Sequence, residues 1–128
     1  MPHAGRLVAI VDDDESVRNA MKGLMRSVGF AAEVFSSAEE FLRSAELSRT
    51  GFLVADVNMP NMSGVRLYEN LLLQGKAIPT VLITAYPSDH DRSRALQAGV
   101  ISYLTKPFDE HDLLASIRRV LDQDSGVP

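Results

Sequence analysis

The segment Leu7-Val8-Ala9-Ile10-Val11-Asp12-Asp13-Asp14-Glu15 runs from five consecutive apolar residues straight into four acids. A short continuous apolar run reads as a strand buried on both faces, the kind used by a parallel sheet with helices packed on both sides. Similar runs recur at Phe52–Ala55, Thr80–Ile83 and Ile101–Leu104, with a weaker one at Ala32–Phe35. Between the runs the apolar spacing becomes helical. Val17, Met21, Leu24, Met25 and Val28 recur at i, i+4, i+7, i+8 and i+11, and Gly29 follows as a C-terminal stop. Ser37 and Glu40 make a capping-box pattern ahead of Phe41 and Leu42. Val65, Tyr68 and Leu72 share one side of a helix over Gly64–Leu73, as do Leu113, Ile117, Val120 and Leu121 in the last helix. Asp89 to Ala98 offers only Leu96 as a large apolar anchor, which predicts a loosely held helix. This alternation predicts an α/β fold, a doubly wound parallel sheet of five strands with five helices. In such sheets ligands bind beyond the carboxyl ends of the strands.

Composition narrows the function classes. The 128 residues are 45% hydrophobic and 23% charged, with 17 acids against 13 bases and a formal net charge of −4. A chain of this length buries one core, not two. No cysteine is present, which excludes disulfides, thiolate metal sites and a cysteine nucleophile. Met1 to Arg6 lacks the apolar stretch of a signal peptide, and no apolar run nears the ~18 residues that cross a bilayer, so a cytoplasmic protein without a membrane segment is expected. Net negative charge without a lysine- or arginine-rich block argues against direct nucleic-acid binding, and Arg118 with Arg119 reads as a solvated helix face. Asp122 to Pro128 is polar and without periodicity, and reads as a frayed end or the start of a linker.

Polar groups stand at the end of nearly every strand: Asp12, Asp13 and Asp14 after Val11, Asp56 after Ala55, Thr84 after Ile83, and Lys106 shortly after Leu104. Each alone has an ordinary explanation. Acids favour helix N-termini, as Asp14 and Glu15 would here, Asp and Thr end strands as turn formers, and most lysines are solvated. Their convergence on one rim is what carries information. Two carboxylates ~4 Å apart repel by about 4 kcal/mol at an effective dielectric of 20, so an acidic cluster facing a further Asp suggests a bound cation. With oxygen donors only, that cation would be magnesium, which takes one or two carboxylates, waters and a phosphate.

The motifs Val11-Asp12-Asp13, Val54-Ala55-Asp56-Val57-Asn58-Met59-Pro60, Ser63-Gly64, Ile83-Thr84-Ala85 and Lys106-Pro107-Phe108, with Tyr103 three residues before Lys106, resemble the receiver domain of two-component response regulators in order and spacing. The resemblance covers Arg6 to Leu121. The wording Asn61-Met62-Ser63-Gly64 and Lys106-Pro107-Phe108 is closest to the branch that usually precedes a helix-turn-helix output domain. It implies a flavodoxin-like sheet in the order 2-1-3-4-5, a receiver over residues 6–121, a tail or linker start at 122–128, and no output domain within the 128 residues.

The same resemblance implies that Asp56 accepts a phosphoryl group from the phosphohistidine of a sensor histidine kinase, as a switch and not as an enzyme with turnover. Asp13 and Asp56 would ligate Mg²⁺ directly, Asp12 through water, and the backbone carbonyl of Asn58 would complete the protein ligands. Asp13-Asp14 is a second register for the acidic pair, but Asp12-Asp13 directly follows the strand. Lys106, Thr84 and Ala85 would meet the phosphoryl group, and Lys106-Pro107 would be cis. Thr84 and Tyr103 would form the switch, Tyr103 moving from a solvent-facing to an inward rotamer, and the changed face would be the fourth helix, fifth strand and last helix. Tyr103 as a plain strand aromatic is the alternative. Asn58 and Tyr86 occupy positions that influence hydrolysis of the phosphate, and Gly64 reads either as a special backbone angle or as an ordinary loop glycine. Partners would be the kinase, a downstream protein or a separate output domain, and a second copy on phosphorylation. A rival reading is a Mg²⁺-dependent phosphohydrolase with a strand-end Asp nucleophile, although Asn58 stands where that class has a second acid.

Overall fold

The computed structural model describes residues 6–125, the side chains of 123–125 excepted; the leader reading over Met1 to Gly5 and the end of the tail at 126–128 lie outside the described residues. Eleven elements follow in order: β1 (Leu7–Val11), α1 (Glu15–Ser27), β2 (Ala32–Phe35), α2 (Ala38–Leu42), a 3-10 turn (Leu47–Arg49), β3 (Thr50–Asp56), α3 (Gly64–Leu73), β4 (Thr80–Thr84), α4 (Asp89–Ala98), β5 (Ser102–Thr105) and α5 (Glu110–Ser125). The five strands form one parallel sheet in the order β2-β1-β3-β4-β5.

Strand side chains alternate between faces with period two, and the burial follows that rule. Val8 and Ile10, Phe52 and Val54, and Val81 and Ile83 pack with Met21 and Met25 of α1 and with Leu113, Ile117 and Leu121 of α5. Ala9 and Val11, Leu53 and Ala55, and Leu82 pack on the other face with Phe41 of α2, Val65, Tyr68 and Leu71 of α3, and Ala95 of α4. The register pairs Val11 with both Phe35 and Ala55, Asp56 with Ile83, and Thr84 with Thr105. The strands therefore stop level, and whatever follows them shares one rim.

Several boundaries differ from the expected ones. β3 begins at Thr50, two residues before the apolar run, because Thr50 is buried and its hydroxyl donates to the Glu46 carbonyl at 2.9 Å. β5 spans Ser102–Thr105, one residue beyond Ile101–Leu104, with Ile101 N–H already bonded to the Thr80 carbonyl at 2.8 Å. α5 continues through Ser125 instead of ending at Leu121, since helical hydrogen bonding needs no apolar period and no Gly or Pro intervenes before Gly126. On α3 the buried set is Gly64, Val65, Leu67, Tyr68 and Leu71, while Leu72 is exposed. On α4 the anchor is Ala95, and Leu96 lies 40% exposed. The small side chain was the one turned inward.

Local caps set the helix starts. Asp14 accepts from Ser16 N–H at 2.9 Å and Val17 N–H at 3.3 Å, and those bonds, with the Ser16 hydroxyl first among them, hold its carboxyl below the usual range. Ser37 caps α2 through Glu40 N–H at 3.0 Å, but Glu40 turns back to Ser36 N–H at 2.6 Å, one residue before the expected capping-box partner. Ser63 and Ser88 cap α3 and α4 in the same way.

Candidate functional site

The level strand ends bring Asp12, Asp13, Asp56, Thr84 and Lys106 to one rim. Asp12 and Asp56 are buried and Asp13 is exposed, and one carboxylate oxygen of each lies within 4.8 Å of those of the other two. Asp14 points its carboxylate back into the first turn of α1, leaving Asp12 and Asp13 as the acids that face Asp56. Together with Asn58, Ala85, Tyr86 and Lys106 these acids line an open cleft of about 190 Å³.

Lys106 reaches the cleft from β5. Its N–H donates to the Thr84 carbonyl at 2.8 Å, its peptide bond to Pro107 is cis, and its Nζ lies 3.3 Å from both Asp12 Oδ2 and Asp56 Oδ2. The remaining oxygens are used locally. Asp12 Oδ1 accepts from Asp14 N–H at 2.9 Å, Asp56 Oδ1 accepts from Asn58 N–H at 3.0 Å, and the Arg18 guanidinium donates to the Asp12 carbonyl at 2.8 Å. Burial pushes the Asp12 carboxyl up, Asp14 N–H opposes that, and the Asp56 charge adds to it. Burial also pulls at the Lys106 ammonium, yet the Asp12 and Asp56 charges and hydrogen bonds outweigh it and hold the lysine above its ordinary value. Three carboxylates against one ammonium leave the cluster short of positive charge, and every donor in it is a hard oxygen. That donor chemistry fits Mg²⁺.

Gly64, Thr84 and two tyrosines shape the rim further. Gly64 is not in the left-handed region, so the special backbone angle is not its reason for being glycine; a Cβ there would stand 2.5 Å from the Asp56 carbonyl oxygen. Close approach of α3 to β3 is what requires it. Thr84 is fully buried, donates its hydroxyl to Asn58 Oδ1, and accepts from Tyr86 N–H at 2.9 Å. Tyr103 is buried, not solvent-facing, and its hydroxyl accepts from Ser88 N–H at 3.3 Å at the start of α4. Sequence reasoning did not find the Asn58 side-chain bond to Thr84 or the Arg18 contact, because neither spacing has a local signature. Tyr86, 75% exposed, stands at the cleft mouth.

Residues 8–118 match the model of the response regulator receiver domain. Response regulator protein TodT of Pseudomonas putida is 38% identical over 132 residues, covering 100% of this chain and 58% of TodT. Transcriptional regulatory protein FixJ of Rhizobium meliloti is 38% identical over 112 residues, covering 88% of this chain and 55% of FixJ. The chain thus spans little more than half the length of these relatives. Among solved structures, response regulator StyR superposes with a TM-score of 0.84 at 42% identity over 93% of this chain and 60% of that one. FixJ-N superposes with a TM-score of 0.82 at 36% identity over 95% and 96%. Among the described residues no helix is long and apolar enough to cross a membrane. The level rim of acids, threonine and lysine and the similarity to response regulators lead to one assignment: the chain belongs to the receiver domain family of two-component signalling.

Proposed function

We propose that residues 6–121 form a phosphoacceptor switch in which Asp56 takes a phosphoryl group from a sensor histidine kinase. The observation that carries this reading is the ammonium of Lys106, 3.3 Å from both Asp12 and Asp56 at the level ends of three different strands. A carboxylate oxygen of Asp56 attacks the phosphorus of the donor phosphohistidine. The P–O bond forms as the P–N bond breaks, and the departing imidazole nitrogen takes back a proton. Lys106 balances charge at Asp56 and on the acyl phosphate oxygens. Asp13, Asp56 and the Asn58 backbone carbonyl would hold Mg²⁺ directly, with Asp12 acting through water. A cation held by these residues would supply charge neutralisation for the phosphoryl oxygens. Ala85, next to Thr84 on the rim, would meet the phosphoryl group through its backbone.

Thr84 then turns to a phosphoryl oxygen, and the loop it begins carries Tyr86 and Ser88 with it. Ser88 bonds the Tyr103 hydroxyl and caps α4, so the movement reaches the α4-β5-α5 face. That face would signal to a downstream protein, an output domain like the longer part of the relatives, or a second copy. Tyr103 is already inward here, which suits a population shift between two preexisting arrangements. The setting would be the cytoplasm, where the kinase presents its phosphohistidine.

Incubation with acetyl phosphate and Mg²⁺ followed by intact-mass measurement tests the chemistry. Wild type should gain one phosphoryl group and Asp56→Asn none. Equal labelling of the two, or turnover of a simple phosphate ester in place of stable labelling, overturns the reading.

A further inference from the structure

Thr84 has one hydroxyl hydrogen and two lone pairs, and the structure shows where they go. The hydrogen is directed at Asn58 Oδ1, and a lone pair takes the Tyr86 N–H at 2.9 Å. A phosphoryl group on Asp56 presents acceptors only, so it and the Asn58 carboxamide compete for the same hydrogen. Asn58 is also tied to the phosphoacceptor from the other side, its N–H donating to Asp56 Oδ1 at 3.0 Å. One residue therefore bridges the end of β3 to the end of β4 across the site.

We infer that the Asn58 side chain is a latch on Thr84, a positioning residue that sets how readily the phosphorylated rim recruits that hydroxyl; the inference rests on the phosphoacceptor reading above. The asymmetry of burial makes the latch releasable. Thr84 is fully buried and cannot be left without a partner, whereas Asn58 is exposed and its freed oxygen is taken up by water. Release exchanges one bond for another, and a charged phosphoryl oxygen is the stronger acceptor. The latch therefore holds without locking. It differs from an effect of Asn58 on water access to the phosphate, because it acts through Thr84 and requires the carboxamide acceptor, not the bulk.

Beryllium fluoride with Mg²⁺, an acyl phosphate mimic, measures the competition without a covalent step. Affinity is read by titration of the Thr84 methyl resonance or, in Thr84 variants, of the Ala85 amide. Failure of wild type to bind would defeat the phosphoacceptor reading itself and is distinguishable from failure of the latch. If wild type binds, Asn58→Ala and the bulk-retaining Asn58→Leu should both bind about two- to tenfold tighter, the change that loss of one ordinary net hydrogen bond produces. In a Thr84→Val background, which weakens binding, Asn58→Ala should add nothing. Unchanged or weaker binding by Asn58→Ala, a gain with Ala but not Leu, or the same gain in the Thr84→Val background would overturn the latch.

Discussion

Helices α3 and α4 lie side by side on one face of the sheet, are ten residues long each, and are each capped by a serine three residues before the N–H it accepts, Ser63 for Arg66 and Ser88 for Asp91. They differ in what they bury. α3 puts Gly64, Val65, Leu67, Tyr68 and Leu71 inside, and α4 puts in Ala95 alone. Since most helical stability in proteins comes from tertiary burial, equal caps leave α4 the less anchored of the two. Beyond partly buried Ala98, its further ties include the bidentate pair of Arg94 with Glu69 of α3 at 2.8 and 2.6 Å, and Tyr103 at its cap. Polar ties near the surface are easily exchanged for others.

The comparison breaks most visibly in the core. Leu67→Ala should destabilise the protein by about 2–5 kcal/mol, whereas Leu96→Ala should stay within about 0.5 kcal/mol, both by urea unfolding. A loss at Leu96 equal to that at Leu67 would show α4 to be as well anchored as α3. The caps sharpen it at a smaller scale. Ser63→Ala and Ser88→Ala should each cost about 1 kcal/mol of helix stability. Hydrogen exchange should find that cost as local opening of α4 for Ser88→Ala, and spread over the whole molecule for Ser63→Ala.

The smallest effect concerns pH. Arg94, first by hydrogen bonding and then by its charge, holds the Glu69 carboxyl below its usual value. A carboxyl whose folded value is lowered contributes stability above its unfolded value, about 4.3, and that contribution is lost as pH falls through the lower folded value. α4 amides should accordingly lose protection as pH drops below about 4.3, while α3 amides do not, and added salt should shrink the difference. Arg94→Ala should abolish the pH dependence; its persistence would mean that another group holds α4.

The sheet was legible because buried parallel strands are written in continuous apolar runs, and the rim because four of those runs end in, or lead shortly to, polar side chains. The misreadings share a physical origin. Thr50 and Ser102 are strand residues whose polarity hides them, Thr50 being satisfied by the Glu46 carbonyl. Leu72 and Leu96 are large residues that face out while smaller or neighbouring ones face in, a choice made by packing across the layer and not by spacing along the chain. The bond from Thr84 to Asn58 spans 26 positions, and no local period carries it.

A survey of mutations ranked by lost charge or lost nucleophile would pass over Gly64, which has neither. Yet the one methyl group that distinguishes alanine would stand 2.5 Å from the carbonyl oxygen of Asp56 and 3.1 Å from Leu82. The first residue of α3 is thus a gauge block between helix and Asp56: its thickness sets where that strand end sits, and the smallest substitution in the genetic code thickens it.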